Sequence, residues 1–82
     1  MARVVVRYWA AARAAAGLAE EQLEGADLDV LLEGVAGAHD EQFAIVLARS
    51  SFLLDGQSVR RGTAVPLWDG AVLEVLPPFA GG

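Results

Sequence analysis

The chain has 82 residues, a formal net charge of −5 and no cysteine. This length allows one small core and little room for an enclosed cleft, so a single domain over residues 1–82 is predicted. The acidic balance argues against a nucleic-acid partner, which requires a basic surface, and the lack of cysteine excludes disulfides and cysteine-ligated metals. No apolar run approaches the roughly 20 residues of a membrane span, so the simplest prediction is a cytoplasmic protein.

The chain is rich in apolar residues for its size. They make up 55% of the sequence, and part of that fraction is alanine. We nevertheless expect some of this apolar surface to remain exposed as a patch. Such a patch usually marks the binding site of another protein, so a protein partner is predicted.

The first third of the chain predicts a strand, a short helix and a second strand. Large apolar side chains fall on both faces of Ala2–Trp9, which is typical of a central strand covered on most of its surface. Ala10–Ala16 is an alanine-rich helix with Gly17 as its C-terminal stop. Glu20–Leu23 is a short strand whose acidic residues suit the edge of a sheet.

The middle of the chain predicts the main helix. Asp27 is a suitable N-cap. Apolar residues then recur at the i, i+3, i+4, i+7 spacing of an amphipathic helix, at Leu28, Leu31, Leu32 and Val35. Helical spacing returns at Phe43, Val46 and Leu47, which predicts a second short helix or turn.

The last third predicts a hairpin and a final strand. Ser51–Leu54 and Gln57–Val59 are strands joined by Asp55-Gly56, a strong hairpin turn. A second turn at Asp69-Gly70 precedes the strand Ala71–Leu76. The chain order predicts an α+β fold, the ubiquitin-like β-grasp, with a mixed sheet and one main helix packed on one face. Its first and last strands are expected to lie parallel and adjacent in the centre.

The C-terminal segment indicates the working group of the chain. It reads Pro77-Pro78-Phe79-Ala80-Gly81-Gly82. Proline cannot donate to a sheet ladder and has a fixed φ, so the chain leaves the sheet extended and stiff. The two glycines place a carboxylate on a stalk without side chains that can thread a narrow channel. Residues 78–82 reach roughly 15–18 Å when extended, enough to enter a buried site in another protein.

Two segments resemble the small, sulfur-carrier subunit of molybdopterin synthase (MoaD type). The first is Tyr8-Trp9-Ala10-Ala11-Ala12-Arg13-Ala14-Ala15-Ala16-Gly17, and the second runs from Leu67-Trp68-Asp69-Gly70 through the last strand to Pro-Pro-Phe-Ala-Gly-Gly. The family has a similar aromatic pair, helix arginine and Gly, and ends on Pro-Pro, an apolar residue and Ala-Gly-Gly. The chain departs from it at Ala14 and Ala71, where acids are common, and at Phe79, where valine is usual.

The resemblance implies a carrier that is not catalytic alone. An ATP-consuming, adenylating enzyme would join the Gly82 carboxylate to AMP, and a sulfur donor protein would convert it to a thiocarboxylate. The tail, with Gly81 before the reactive end, would then enter the large subunit of the synthase and give its sulfur to a pterin precursor of the molybdenum cofactor. Two copies of each subunit are expected, and no permanently bound cofactor. Residues implied in partner contacts are Arg13, Pro78, Phe79 and Ala80.

Other functions remain open. Alternatives are a sulfur carrier for thiamine or cysteine synthesis, a ubiquitin-like modifier joined to lysines through Gly82, and a non-covalent binding module. Among the remaining side chains, Trp9 is predicted in the core and Trp68 is left undecided. His39 is a poor candidate metal ligand because the chain has no second histidine and no cysteine. The acidic residues of the second strand are expected to form a solvated edge, at Glu20, Glu21 and Glu24.

Overall fold

The protein is described by a computed structural model over residues 1–78. The elements follow in the predicted order, with bounds close to those expected. They are β1 (Ala2–Tyr8), α1 (Ala10–Ala16), β2 (Glu20–Gly25), α2 (Leu28–Gly37), α3 (Glu41–Arg49), β3 (Ser51–Leu54), β4 (Gln57–Val59) and β5 (Val72–Leu76).

Short polar residues and one glycine define the ends of the helices. The Asp27 carboxylate accepts the Val30 N–H at 2.9 Å at the start of α2. Asp40 accepts the Phe43 N–H at 3.0 Å at the start of α3 in the same way. Helix α1 ends at Gly17, whose φ of 78° continues the chain in the left-handed region. These caps explain why the segment predicted as a short helix or turn is a full helix.

The strands form one mixed sheet in the order β2-β1-β5-β3-β4. Strands β1 and β5 are parallel neighbours, while the other pairs are antiparallel. The β3–β4 turn has φ of 46° at Asp55 and 85° at Gly56, the positive pair that a tight hairpin requires. The α+β prediction, with the first and last strands adjacent in the centre, is confirmed.

All three helices cover the same face of the sheet. Side chains of α1, α2 and α3 join those of β1, β3 and β5 in a single buried cluster. Helix α2 is the predicted main helix, but α1 and α3 complete the layer by packing on each other. The core consists of Val4, Val6, Tyr8, Ala12, Leu28, Leu31, Leu32, Val35, Phe43, Leu47, Phe52, Leu54, Ala71, Leu73 and Val75. None of the helices within residues 1–78 is long and apolar enough to cross a membrane.

Candidate functional site

The tail begins at the central strand of the sheet. Strand β5 is paired with β1 on one side and with β3 on the other. Pro77 is buried directly after it, and Pro78 is exposed. The chain therefore leaves the fold from the centre of the sheet. The predicted working residues beyond this point lie outside the described residues: Phe79, Ala80, Gly81 and Gly82.

The face of the sheet opposite the helices carries no layer within residues 1–78. We call it the open face. Its apolar side chains are half-buried and come from three neighbouring strands, β1, β5 and β3: Val5, Val72, Leu76 and Leu53. Helices cover the other side of the same strands, so this partly exposed face is the candidate for the predicted apolar patch.

A row of alternating charge crosses the open face next to these apolar groups. Arg7 on β1 lies opposite Glu20 on β2 and opposite Glu74 on β5. Its guanidinium reaches the Glu20 carboxylate at 3.2 Å, with both side chains about half exposed. An exposed pair of this kind contributes little to stability. It does give the patch a charge pattern that a partner can match.

Trp9 lies on the surface at the end of the open face nearest the tail, and the prediction that it is a core residue is wrong. It is 46% exposed. With Arg7, Arg13 and Glu20 it lines a shallow depression of about 190 Å³. Burial on the helix side ends with Tyr8, because Trp9 is the N-cap of α1, where the chain turns to form the helix layer. Arg13 is exposed on α1, next to this aromatic group.

A second apolar depression lies on the helix side of the tail. It is formed where α1 and α3 meet the two prolines, and we call it the tail-root groove. It measures about 160 Å³ and is lined by Ala11, Ile45, Val46, Arg49, Pro77 and Pro78. Ile45 is 52% exposed there, although it belongs to a helix that buries its other side in the core.

The opposite end of the sheet is closed by hydrogen bonds from side chains. The Asp55 carboxylate accepts the Val72 N–H and the Trp68 indole N–H, both at 2.9 Å. Asp69 accepts the Arg3 N–H at 2.8 Å. These bonds fasten the segment that enters β5 to the β3–β4 turn and to β1. Trp68, whose environment the sequence leaves undecided, is 48% exposed, and its indole is held by the hydrogen bond to Asp55.

Glu21 differs from the solvated glutamates predicted for β2. Glu20 and Glu24 are exposed as expected, whereas Glu21 points to the helix side. Its carboxylate accepts a hydrogen bond from the Tyr8 hydroxyl at 2.5 Å and lies 2.5 Å from His39 Nε2. Burial, together with the hydrogen bond to Glu21 and its charge, raises the pKa of Tyr8 well above its usual value.

His39 has a structural place in this network. Its ring lies 4.6 Å from the Phe43 ring and meets the Tyr8 ring edge-on at 5.7 Å, measured between centroids. The pair with Glu21 ties the α2–α3 connection to β2. No group of histidine and carboxylate side chains within residues 1–78 is arranged to hold a metal ion.

The candidate functional region is therefore the tail root, Pro77-Pro78, with the open face and Trp9 beside it.

The model of the ThiS family matches residues 6–82, nearly the whole chain including its C-terminal glycines. Comparison with curated proteins gives no match.

Solved structures with the same fold cover nearly the whole chain. A putative molybdopterin converting factor, subunit 1, from Pyrococcus furiosus is 30% identical, with a TM-score of 0.82 over 96% of this chain and 100% of the other. The small archaeal modifier protein 1 from Methanosarcina acetivorans is 24% identical, with a TM-score of 0.82 over 100% and 98%. A complex of subunits 1 and 2 of molybdopterin-converting factor from Helicobacter pylori contains a chain 24% identical, with a TM-score of 0.71 over 98% and 99%.

Proposed function

The chain belongs to the ThiS family, and from this premise we propose that it is the sulfur-carrier subunit of a molybdopterin synthase. The class is that of ThiS- and MoaD-like sulfur carriers and ubiquitin-like modifiers. Within this class, the 30% identity to the P. furiosus converting-factor subunit favours the molybdopterin pathway.

One observation carries the proposal. The Gly81-Gly82 end is joined through only three residues to Pro77, which is buried at the end of the central strand β5. A tail rooted in the centre of the sheet has a fixed point of departure, so a partner that docks on the neighbouring surface can direct the last residues into a channel. Glycine suits the reacting end because no Cβ obstructs attack on the carbonyl.

The proposed chemistry takes place on the Gly82 carboxylate in two steps. In the activating enzyme, a carboxylate oxygen attacks the α-phosphorus of ATP, pyrophosphate leaves, and a mixed anhydride with AMP forms. Hydrosulfide released by the donor then attacks the acyl carbon, AMP leaves with that oxygen, and the thioacid gives its proton to solvent. The product is a thiocarboxylate in which one oxygen has been replaced by sulfur. This chain supplies the acyl group and its presentation, while its partners supply catalysis.

The open face and the Trp9 depression are the proposed docking surface for the large subunit. They combine half-buried apolar groups, a matched charge row and an exposed tryptophan next to the tail root. Tryptophan and arginine are enriched among interface hot spots, which favours roles for Trp9 and Arg13. The H. pylori complex of subunits 1 and 2 supports a large-subunit partner. Pro78, Phe79 and Ala80 are proposed to line the channel of that partner.

The decisive test is the intact mass of the chain after incubation with ATP, a competent activating enzyme and sulfide. We expect a rise equal to the difference between one sulfur and one oxygen, with fragment ions that place the change on Gly82. A rise located on another residue, or none with an enzyme that charges a known carrier, would contradict the proposal. Transfer to a pterin precursor by the large subunit then separates this pathway from thiamine or cysteine synthesis.

A ubiquitin-like modifier is the second candidate, because the fold is shared with small archaeal modifier protein 1 and the activation step is the same. A modifier ends in an isopeptide bond to lysine, whereas a carrier must be released for recharging. We expect the chain in cell extract to run as one free band on a denaturing gel. A ladder of heavier bands that disappears when Gly82 is deleted would favour the modifier. A non-covalent binding module would tolerate that deletion without loss of function.

A further inference from the structure

The tail-root groove adjoins the point where the described chain ends. Pro78, the last described residue, forms part of its wall. Four residues follow, and the first of them is Phe79. An exposed Ile45 in a small chain needs no explanation by itself. An apolar groove next to an aromatic residue of the same chain, however, identifies a candidate occupant.

Both prolines that follow β5 line the groove, so the chain runs along its wall as it leaves the sheet. Side chains of an extended chain alternate between the two sides. On the helix side, Leu73 and Val75 are fully buried, and Pro77 is buried after them. Proline fixes its own φ, and a residue that precedes proline is held in the extended region, so Pro77-Pro78 limits the directions that the following residue can take.

The size and chemistry of the groove suit a phenyl ring. Its volume of about 160 Å³ is close to that of an apolar cavity of about 150 Å³ known to bind benzene. The lining offers apolar groups from α1 and α3, at Ala11, Ile45 and Val46. Arg49 also lines the groove, and an arginine stem can cover an aromatic ring while its guanidinium lies over the ring face.

We propose that Phe79 occupies the tail-root groove when the chain is free, and that it leaves the groove when a partner takes the tail. The Phe79 ring then has two alternative binding sites, the groove on its own helices and a site in the partner. In the free chain only Ala80, Gly81 and Gly82 project. This inference concerns the unpartnered chain, so it holds or fails independently of whether the tail carries sulfur.

Methyl NMR on the full chain tests directly whether Phe79 occupies the tail-root groove. Ile45 is the sole isoleucine in the sequence, so selective labelling gives a single methyl signal. We expect contacts between this methyl and an aromatic ring that vanish in Phe79→Ala, with a shift of the methyl signal as the ring current is lost. A second sample labelled at valine supplies the control, because the methyl signals of Val30, exposed on α2, should not move. An Ile45 signal unchanged by Phe79→Ala overturns the proposal.

Limited proteolysis supplies a second, independent readout. Chymotrypsin cleaves after exposed aromatic residues, so cutting after Phe79 releases the tripeptide Ala80-Gly81-Gly82 and is visible in the intact mass. Ile45→Asp should speed this release about fivefold, as expected if roughly half the burial energy of a phenylalanine holds the ring. The matched control, Val30→Asp, places the same charge at an exposed position of α2 and should leave the cleavage rate unchanged. Equal cleavage rates in the two variants would contradict the binding of Phe79 in the tail-root groove.

Discussion

The two ends of the sheet are built in different ways. At the end away from the tail, charged side chains accept hydrogen bonds from the backbone and from an indole, so that the exposed Trp68 is held in place. At the tail end, the exposed Trp9 lies in a shallow depression beside Arg13 and the prolines lead into an apolar groove. Two tryptophans of nearly equal exposure, 48% and 46%, therefore have different surroundings.

This difference separates stability from function. Hydrogen bonds that close loops across the sheet stabilise the fold whether or not a partner is present. Trp9 and the open face, which no layer covers, contribute little to the stability of the folded chain alone, and we propose that a partner buries them. Substitutions at the far end should therefore lower the free energy of unfolding, whereas substitutions at the tail end should lower binding or transfer.

The largest effect is expected from removal of Gly82. Its deletion should abolish sulfur acceptance, because the acyl group would then lie one residue short of its place in the activating enzyme. The thermal midpoint should remain nearly unchanged, since the residue lies beyond the buried Pro77. Intact mass after charging and a thermal melt measure the two effects. Full charging of the shortened chain would show that tail length does not matter.

Asp55→Ala should have the largest effect on stability. It removes the acceptor for the Val72 and Trp68 N–H groups and places alanine at a φ of 46°, where aspartate and asparagine are better tolerated. We expect a loss of about 2 kcal/mol in the free energy of unfolding, measured by urea denaturation. Asp55→Asn keeps an acceptor and should lose less than about 1 kcal/mol. Sulfur acceptance by both folded variants should be normal.

The two tryptophans provide the sharpest contrast between the ends. Trp9→Ala should weaken binding to the large subunit by about 2 kcal/mol, the size of an interface hot spot. Trp68→Ala removes a side chain of similar exposure at the far end and should leave the affinity within about 0.5 kcal/mol. Calorimetric titration of both variants with the same partner measures this difference. Equal losses of affinity would place the docking surface elsewhere.

The smallest effect concerns the polar contact behind the tail end, between Tyr8 and Glu21. Folding raises the pKa of the Tyr8 hydroxyl, so the folded chain keeps its proton at pH values where the unfolded chain loses it. The contribution of the protonated Tyr8 hydroxyl to stability is fully present below about pH 10. Above that pH, the free energy of unfolding falls by up to about 1.4 kcal/mol per pH unit.

Composition makes this alkaline effect easy to isolate. Tyr8 is the only tyrosine, cysteine is absent, and the cations are all arginine, so no other side chain has an ordinary pKa in that range. Denaturation curves for the wild type and Tyr8→Phe between about pH 8 and about pH 11 provide the comparison. Tyr8→Phe should show little change with pH. A similar fall in both proteins would assign the effect to another cause.

Local signals in the sequence predict most of the fold. The Asp55-Gly56 turn, the Asp27 cap and the Gly17 stop act over a few residues, so the elements they bound are found as predicted. The central pairing of β1 and β5 follows from their apolar character, because in so short a chain few arrangements bury both strands. The prediction that Gly81 and Gly82 are the working residues rests on the sequence of the C-terminal segment, and these residues lie outside the described range.

Contacts between distant residues explain what the sequence does not predict. Alternation places Trp9 on one side of its strand, but only the positions of α1 and β5 show that no layer covers it. Glu21 resembles its solvated neighbours in sequence, while its partner His39 is 18 residues away on the α2–α3 connection. The tail-root groove forms where α1, α3 and the two prolines meet. These segments are distant in sequence, so no local pattern of apolar residues predicts their contact.

The parallel pairing of β1 with β5 has a mechanical consequence. The tail leaves β5 at the end of the sheet opposite the start of β1, so a force between Met1 and the tail pulls these neighbouring strands in opposite directions along their length. Their ladder, which includes the Val5 N–H to Ala71 carbonyl bond of 2.9 Å and the Trp9 N–H to Val75 carbonyl bond of 3.2 Å, is loaded in shear. The bonds then share the load and fail together, whereas a hairpin pulled from its open end loses them one at a time. If a partner draws in the last residues, as we propose, the tail is anchored along the direction in which the fold best resists force.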